Sequence, residues 1–358
     1  MMLDVEEHLS LDERSAVDFV GGLRARWAHE LYPRLAADAR GGDGAGDVTT
    51  LAGATSALRR SPLYPWFAHL ERQQQKMLWR AAGDAVLRLR KELSSGLDVP
   101  GSPELDPGLS LPDWYTDVDI HLQPGSFFAA DASAFIYELG ARVVMLRDND
   151  GYKFHRLFAE TALPDLPGAA RVVDIGCGFG KSTRPLAAKY PDAEIVGIDL
   201  SAPNLRLAHA QAVSAGLSLR YRQAFGSATG LENGSADLVT GTMVLHEMPG
   251  AEIAATLAEA ARLLRPGGSV RFLEFWPTGD PVRDATVYEH AERNNEPYFR
   301  DLFGIDTARV CAEAGLTGAR WTPFDERERG LLSGDRPERR EWFFPWAVLC
   351  AEKPETTV

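Results

Sequence analysis

Cysteine is scarce in this chain, with three residues at 177, 311 and 350. An odd, scattered count supplies neither a disulfide framework nor a zinc cluster, and it fits a reducing compartment. Long apolar runs are missing as well. No stretch approaches the ~18 residues that a membrane span needs, so no membrane partner is expected. The first residues, Met1 to Glu7, are acidic and lack the basic-then-apolar order of a secretory leader. Together these features point to a cytoplasmic protein. Excess positive charge is also absent: 38 Lys and Arg stand against 51 Asp and Glu, a formal net charge of −13. A nucleic-acid backbone needs clustered cations that displace its counterions. The one local cluster, Arg336 to Arg340, is interrupted by Glu338, so no nucleic-acid partner is expected. There is no internal repeat.

What is present divides near residue 150. Residues 1–150 read as a helical N-terminal domain, suited to a substrate lid or to homodimer formation. Ser10-Leu11-Asp12-Glu13 is a capping-box pattern, and the helix it opens should run to about Ala39 with a break at Gly21-Gly22. "GGDGAGD" (41–47) is a loop by composition. A second helix is expected from Trp66 to Leu93. Phe67, Leu70, Met77 and Leu78 lie on its apolar stripe, and Gln73-Gln74-Gln75 lie off it. The Pro-, Gly- and Ser-rich stretch 94–113 reads as a linker, and a third helix should span about Asp131 to Arg147, stopped by "DNDG" (148–151).

Residues 151–358 have another character. "RVVDIG" (171–176), "EIVGIDL" (194–200), "ADLVTGTMVLH" (236–246) and "SVRFLEF" (269–275) are short β-branched runs separated by helical segments at about 182–190, 203–215 and 251–264. Such alternation implies a parallel sheet covered on both faces. "ARWTPFD" (319–325) and "FFPWAVLCAEK" (343–353) read as two further strands closing an antiparallel hairpin. The expected fold is therefore α/β, a Rossmann-like and mostly parallel sheet with a C-terminal antiparallel hairpin, plus the helical N-terminal domain.

The first strand runs into "VVDIGCGFGKST" (172–183), in which Gly176, Gly178 and Gly180 alternate. Glycine lets the backbone turn and lets a ligand approach it, and the following helix offers free N–H groups and a positive dipole end. A phosphate-binding P-loop would need glycine at 175, where Ile175 stands. A dinucleotide fingerprint would need glycine at 181, where Lys181 stands. The pattern is instead D-x-G-x-G-x-G.

These residues, with "IVGIDLS", "ADLVTGTMVLHEM" and "ARLLRPGGSVRFLEF", resemble the class I S-adenosylmethionine-dependent methyltransferases, over roughly 165–358. The nearest likeness is to the small-molecule branch, such as the quinone-ring enzymes. The resemblance implies S-adenosyl-L-methionine as cofactor and a small organic metabolite as acceptor; the sizeable first half outside the family pattern points to a specialised biosynthetic pathway. It places Asp174, Gly176, Cys177, Gly178 and Gly180 at the methionine part of the cofactor. Asp199 would hold the ribose hydroxyls, and Leu200 would pack on adenine. Gln223, Ala224 and Phe225 stand where relatives carry an acidic adenine contact, and Thr242, within the fourth strand, is counted with the cofactor-binding residues. Cys177 is also simply a small residue that fits a crowded turn.

Ligands in such sheets bind outside the carboxyl ends of the strands, which sets "TMVLHEM" opposite the methyl group. His246 has the pKa range of a general base, and Glu247 could orient it or position an amine. If the strand runs through Glu247, alternation lets only one of the two face the cofactor; if it ends earlier, both can. The Asn/Asp-Pro-Pro-aromatic motif of nucleobase amine methyltransferases is absent. Tyr152, Lys153 and His155 precede the sheet, where the family folds a helix over the cofactor. Glu274, His290 and Tyr298 fall in or beside 275–299, where the family inserts substrate loops. The aromatic stretches 111–128 and 61–70 could wall a pocket or fill the first domain's core. Two other readings compete: a cofactor-binding protein without catalysis, to be judged by whether a cavity lies before His246, and a metal-assisted enzyme using His121, His246, Glu247 and His290, although no metal is expected from their spacing.

Overall fold

The computed structural model describes residues 4–41 and 48–355. Six of the seven positions of the glycine-rich stretch 41–47 lie outside the described residues.

The sheet has eight strands: β1 (Arg171–Ile175), β2 (Glu194–Asp199), β3 (Arg220–Gln223), β4 (Ala236–Thr242), β5 (Leu264–Phe275), β6 (Thr317–Asp325), β7 (Gly330–Leu331) and β8 (Trp346–Glu352). Their spatial order is β3-β2-β1-β4-β5-β8-β6-β7. The first five are parallel, whereas β8 runs antiparallel to both β5 and β6. The expected mostly parallel sheet with an antiparallel C-terminal part is present. The chain steps outward from β1 to β3, then jumps back across β1 to β4. That reversal opens a crevice at the carboxyl ends of β1 and β4, the general ligand position of open α/β sheets. Every residue of β4 is buried, as expected of a strand covered on both faces.

Several local expectations are corrected. The Ser10 capping box is formed, with Glu13 N–H donating to Ser10 Oγ and Ser10 N–H to Glu13. The helix it opens, Leu11–Arg26, passes through Gly21-Gly22 without a break. The irregularity falls instead at Trp27–Leu31, a π-type turn. Pro33 lies just beyond it; a proline ring clashes with the carbonyl four residues back and removes a donor, and a widened turn relieves both. The long helix is Tyr64–Arg88, and there Gln74 and Gln75 are buried while Met77 is exposed. Polar contacts, described below, draw Gln75 inward, whereas the Gln74 amide is buried without a hydrogen-bond partner among the described residues. A helix at Leu51–Arg60 was not foreseen. The segment 275–299 is mostly the helix Pro281–Arg293, opened by an Asp280 cap and Pro281, not a loop. Strand β4 stops at Thr242, and Leu245–Glu247 form a 3₁₀ turn.

The N-terminal helices are packed into the rest of the molecule. Val17, Leu78, Val86, Phe135 and Leu139 share one apolar cluster with Phe179 and Leu207. Trp27, Tyr32, Leu58 and Phe67 share another with Val282, Ala285 and Trp342. The helix Asp131–Val144 approaches Tyr64–Arg88 so closely that a Cβ on Gly140 would fall 2.0 Å from the Trp79 ring. Alanine favours helices over glycine by about 1 kcal/mol, but overpacking typically costs about 1–3 kcal/mol. Gly140→Ala is therefore expected to lower stability by about 1–2 kcal/mol in urea denaturation. A variant at least as stable as the parent would show that these two helices can separate without cost.

Candidate active site

Beyond β1 the chain turns through Gly176, Gly178 and Gly180, all at positive φ. At Gly176 (φ +70°) a Cβ would come within 2.2 Å of the Val244 side chain, so the residue must be glycine for two reasons, backbone and space. Asp174 is fully buried below the turn. Its Oδ2 accepts from Ser182 (2.6 Å) and Thr183 (2.7 Å), tying the turn to the helix Thr183–Lys189, while Oδ1 has no partner. Burial pushes its carboxyl up to about 6 despite those two bonds. Gly178 N–H donates to Asp199 Oδ2 and Ser201 N–H to Oδ1, each at 2.8 Å. Burial also pushes the Cys177 thiol well up, which leaves it unreactive.

Two cavities open over this turn. The first, about 100 Å³, has Asp199, Leu200 and Ala224 in its wall, with Trp114 and Tyr115 closing it from the N-terminal half. The second, also about 100 Å³, is walled by His121, His155, Lys181, His246, His290 and Glu296 together with the rings of Trp79, Phe275 and Phe344. Both contain Gly176, Gly178, Tyr137, Met243 and Glu247. They therefore meet above the ends of β1 and β4.

The end of β4 is shaped by a buried carboxylate. Glu274, on β5, accepts from Val244 N–H (2.5 Å), Leu245 N–H (2.6 Å) and the His246 ring through Nδ1 (2.7 Å). Met243 takes φ +55° to begin this curl. Because the strand has ended, His246 and Glu247 both line the second cavity. Glu247 Oε1 lies 2.9 Å from His121 Nε2 and 3.4 Å from His246 Nε2. Its Oε2 is buried and has no partner. Burial alone would lower the His246 ring, but the Glu274 charge and bonds to both glutamates raise it well above the usual range. Burial alone would raise Glu247, but His121 first and His246 second hold it far below the usual carboxylate range. Both shifts favour an ion pair, an imidazolium at His246 beside an anionic Glu247.

Other foreseen residues are placed less uniformly. His155 and His290 line the second cavity, and Thr242 does too. Glu274 lies beneath His246 and does not reach the cavity wall. Tyr152 is bonded by Arg184, whose guanidinium sits 4.4 Å over its ring, and Tyr298 donates to Trp114 O; neither lines a cavity described here. Lys153 is exposed. Gly180 faces away, since a Cβ there would meet the Tyr221 hydroxyl at 2.8 Å and Ala208 at 3.2 Å; it lets the turn pack on the helix Ala202–Ser214. Gln223 donates to Leu200 O and accepts from Asp106 N–H, so it fastens the 94–113 stretch rather than facing the cavity. Phe225 bridges to Ala228, and Gly226 takes its expected place in the wall.

Sequence reasoning missed Lys181, Tyr137, Met243 and Glu296. Lys181 was legible only as the lysine of a failed P-loop pattern. Its ammonium has no hydrogen-bond or ion-pair partner among the described residues, and burial lowers it to about 8. His121, His246, Glu247 and His290 do converge on one cavity. Their ring nitrogens are engaged by carboxylates, and among the described residues no group of three or more His, Cys, Asp or Glu is placed to hold a metal. No helix is long and apolar enough to cross a membrane among those residues.

This constellation suits S-adenosylmethionine. Asp199, each of whose oxygens accepts one backbone N–H and can accept more, lines the first cavity, and Lys181, an unpaired cation, and Glu247, with one unpaired oxygen, line the second. Residues 172–268 match the family model described as "Methyltransferase domain". The chain is 31% identical over 155 residues to the ubiquinone biosynthesis O-methyltransferase of Aromatoleum aromaticum, covering 42% of this chain and 64% of that protein, less than two thirds of the relative's own length. It is 32% identical over 200 residues to the ubiquinone biosynthesis O-methyltransferase of Chelativorans sp., covering 52% of this chain and 75% of that protein. Phosphoethanolamine N-methyltransferase 2 of Haemonchus contortus, solved with S-adenosyl-L-methionine, superposes with a TM-score of 0.46 at 16% identity, covering 63% of this chain and 58% of that one. On its sheet, its glycine turn and its likeness to the two ubiquinone-biosynthesis relatives, the chain belongs to the class I S-adenosylmethionine-dependent methyltransferases, with S-adenosylmethionine as its cofactor.

Proposed function

We propose that the chain methylates a small organic metabolite of a specialised biosynthetic pathway, and that the acceptor lies in the second cavity with its nucleophilic O–H or N–H on Glu247 Oε2. The observation that carries this reading is the junction of the two cavities at Gly176, Gly178, Met243 and Glu247. The relatives named for ubiquinone biosynthesis support a small, ring-containing acceptor, and the aromatic wall of the second cavity accommodates one. A cavity in front of His246 also favours an enzyme over a protein that only binds the cofactor.

When bound, S-adenosylmethionine supplies an electrophilic methyl group on a sulfonium. The chain's residues do the rest. Asp199 accepts from the ribose hydroxyls, and Leu200 and Ala224 bound the base. Lys181 and His155 take the methionine carboxylate. The Asn149 amide nitrogen faces His155 Nδ1 at 3.3 Å, which leaves Nε2 as the N–H donor. Burial, then the charges of Lys181 and Arg184, lower that ring well below its usual range, so it serves as a neutral donor. Trp79, Tyr137 and Phe275 exclude water, and the shared walls align acceptor with donor.

The base role expected of His246 passes to Glu247. A ring already protonated between Glu274 and Glu247 cannot take another proton. Glu247 instead accepts the acceptor's hydrogen bond. Once the acceptor were methylated, that proton would become strongly acidic and would pass to the Glu247 carboxylate. His246 keeps Glu247 in place. In this reading the helical half of the chain, which contributes to the wall of this cavity, serves as a substrate lid.

Calorimetry is expected to show S-adenosylmethionine binding to the wild type, about 100-fold weaker in Asp199→Ala, since hydrogen bonds to a charged group contribute about 1.5–3 kcal/mol. Lys181→Met is expected to weaken it about tenfold. No binding by the wild type would end the proposal. Glu247→Gln is expected to lower kcat about 100-fold or more, the usual range for a positioned base, with cofactor affinity unchanged. Wild-type turnover in that variant, measured with any accepted substrate, would remove Glu247 from the chemistry.

A further inference from the structure

The ring that touches Glu247 most closely comes from the N-terminal half, outside the matched family region. His121 stands in the short 3₁₀ turn Ile120–Leu122, and both His121 (φ +57°) and Leu122 (φ +61°) have left-handed backbone. Two consecutive non-glycine residues in that region are costly and persist only where surroundings over-determine them. Here the surroundings do. The His121 carbonyl accepts from Trp79 Nε1 (2.6 Å) and from Gln75 Nε2 (3.2 Å). Gln75 is itself fixed by Arg24, which donates to its Oε1 at 2.8 Å. These contacts explain why Gln75 is buried on a helix whose apolar stripe should have excluded it. Their result is that the ring points into the cavity, Nε2 on Glu247 and Nδ1 on Glu296 at 3.2 Å.

We propose that His121 is a positioning residue for methyl transfer: held by Trp79 and Gln75, it pins Glu247 Oε1 so that Oε2 alone meets the acceptor, which limits acceptors to those presenting a neutral O–H or N–H. The inference rests on the assignment of Glu247 to the acceptor. A carboxylate-type acceptor would face an unpaired oxygen of like charge and be rejected.

Electrostatics agrees with the geometry. Burial would lower the His121 ring, but Glu247 and Glu296 outweigh it and raise it to about 10. The other groups facing this pair are His246 on Glu247, the buried hydroxyls of Tyr115 and Tyr137, and His290, which lies 3.6 Å from Glu296 and 2.5 Å from Glu71. Glu274 completes the series behind His246. Glutamate and histidine therefore alternate from Glu274 to Glu71, and the series crosses between the two halves of the chain at His121 and again at His290–Glu71. Without His121, burial pushes Glu247 up and its ionised form is lost at a higher pH.

The test uses two variants of the full chain. His121→Gly suits the left-handed backbone, and His121→Asn tolerates it while keeping a neutral polar group. Both are expected to bind S-adenosylmethionine within about threefold of wild type by calorimetry. Both should lose about 30-fold or more in kcat, the acid limb of the kcat profile should move to higher pH, and added imidazole should restore His121→Gly at least about fivefold but not His121→Asn. The proposal is overturned if kcat stays within about threefold of wild type with an unmoved acid limb. It is equally overturned if kcat and cofactor affinity fall together without imidazole rescue, the mark of a merely structural residue. If Glu247→Gln turns over normally, the underlying assignment of Glu247 fails instead, whichever way His121 behaves.

Discussion

A carboxylate with no access to water must find donors, and Glu274 finds them in the chain that follows β4. By accepting from Val244 N–H, Leu245 N–H and His246, it curls that chain out of the strand at Thr242. Burying a charge unpaired is prohibitive, so this curl is a requirement of the sequence once Glu274 sits on β5. It turns two adjacent side chains, which a strand would send to opposite faces, toward one cavity. It also brings Val244 against Gly176, so the glycine turn and the end of β4 fit only together.

Much of this was legible in the residues. Strands β1, β2, β4, β5, β6 and β8 are β-branched runs bounded by turn formers, and the glycine turn and Asp199 fall where a parallel sheet demands. What was hidden shares a physical cause. Strand β3, "RYRQ", carries two arginines because it borders the sheet edge, so it lacks an apolar signature. The helix Pro281–Arg293 falls where the family resemblance sets a substrate loop; the Asp280 cap followed by Pro281 was the available signal of a helix. Gln75 broke the stripe rule because its partners, Arg24 and the His121 carbonyl, are distant in sequence. His121 was invisible as a Glu247 contact for the same reason, at a separation of more than one hundred residues. Short-range pattern finds elements and turns; pairings between halves of a chain leave no local trace.

The division of labour within the molecule is clearer for it. The sheet supplies the glycine turn, Asp199 and the Glu274–His246–Glu247 series. The helical half supplies aromatic cover through Trp79, Trp114 and Tyr137 and the ring of His121. Shared apolar clusters join Phe135 to Phe179 and Phe67 to Trp342, so cover and sheet are continuous solids rather than bodies resting on each other.

The Pro- and Gly-rich stretch 94–113 has a mechanical consequence. Its Glu104 exchanges backbone hydrogen bonds with Tyr221 and Gln223 of β3, its carboxylate takes the guanidiniums of Arg220 and Arg222, and Asp106 N–H is held by Gln223. By composition it should be a slack tether; in the fold it is a weld along the sheet's free edge. Swinging the helical half away as one body would have to tear this seam as well as two apolar clusters. Any opening of the cavities by that route would therefore have to break all three attachments.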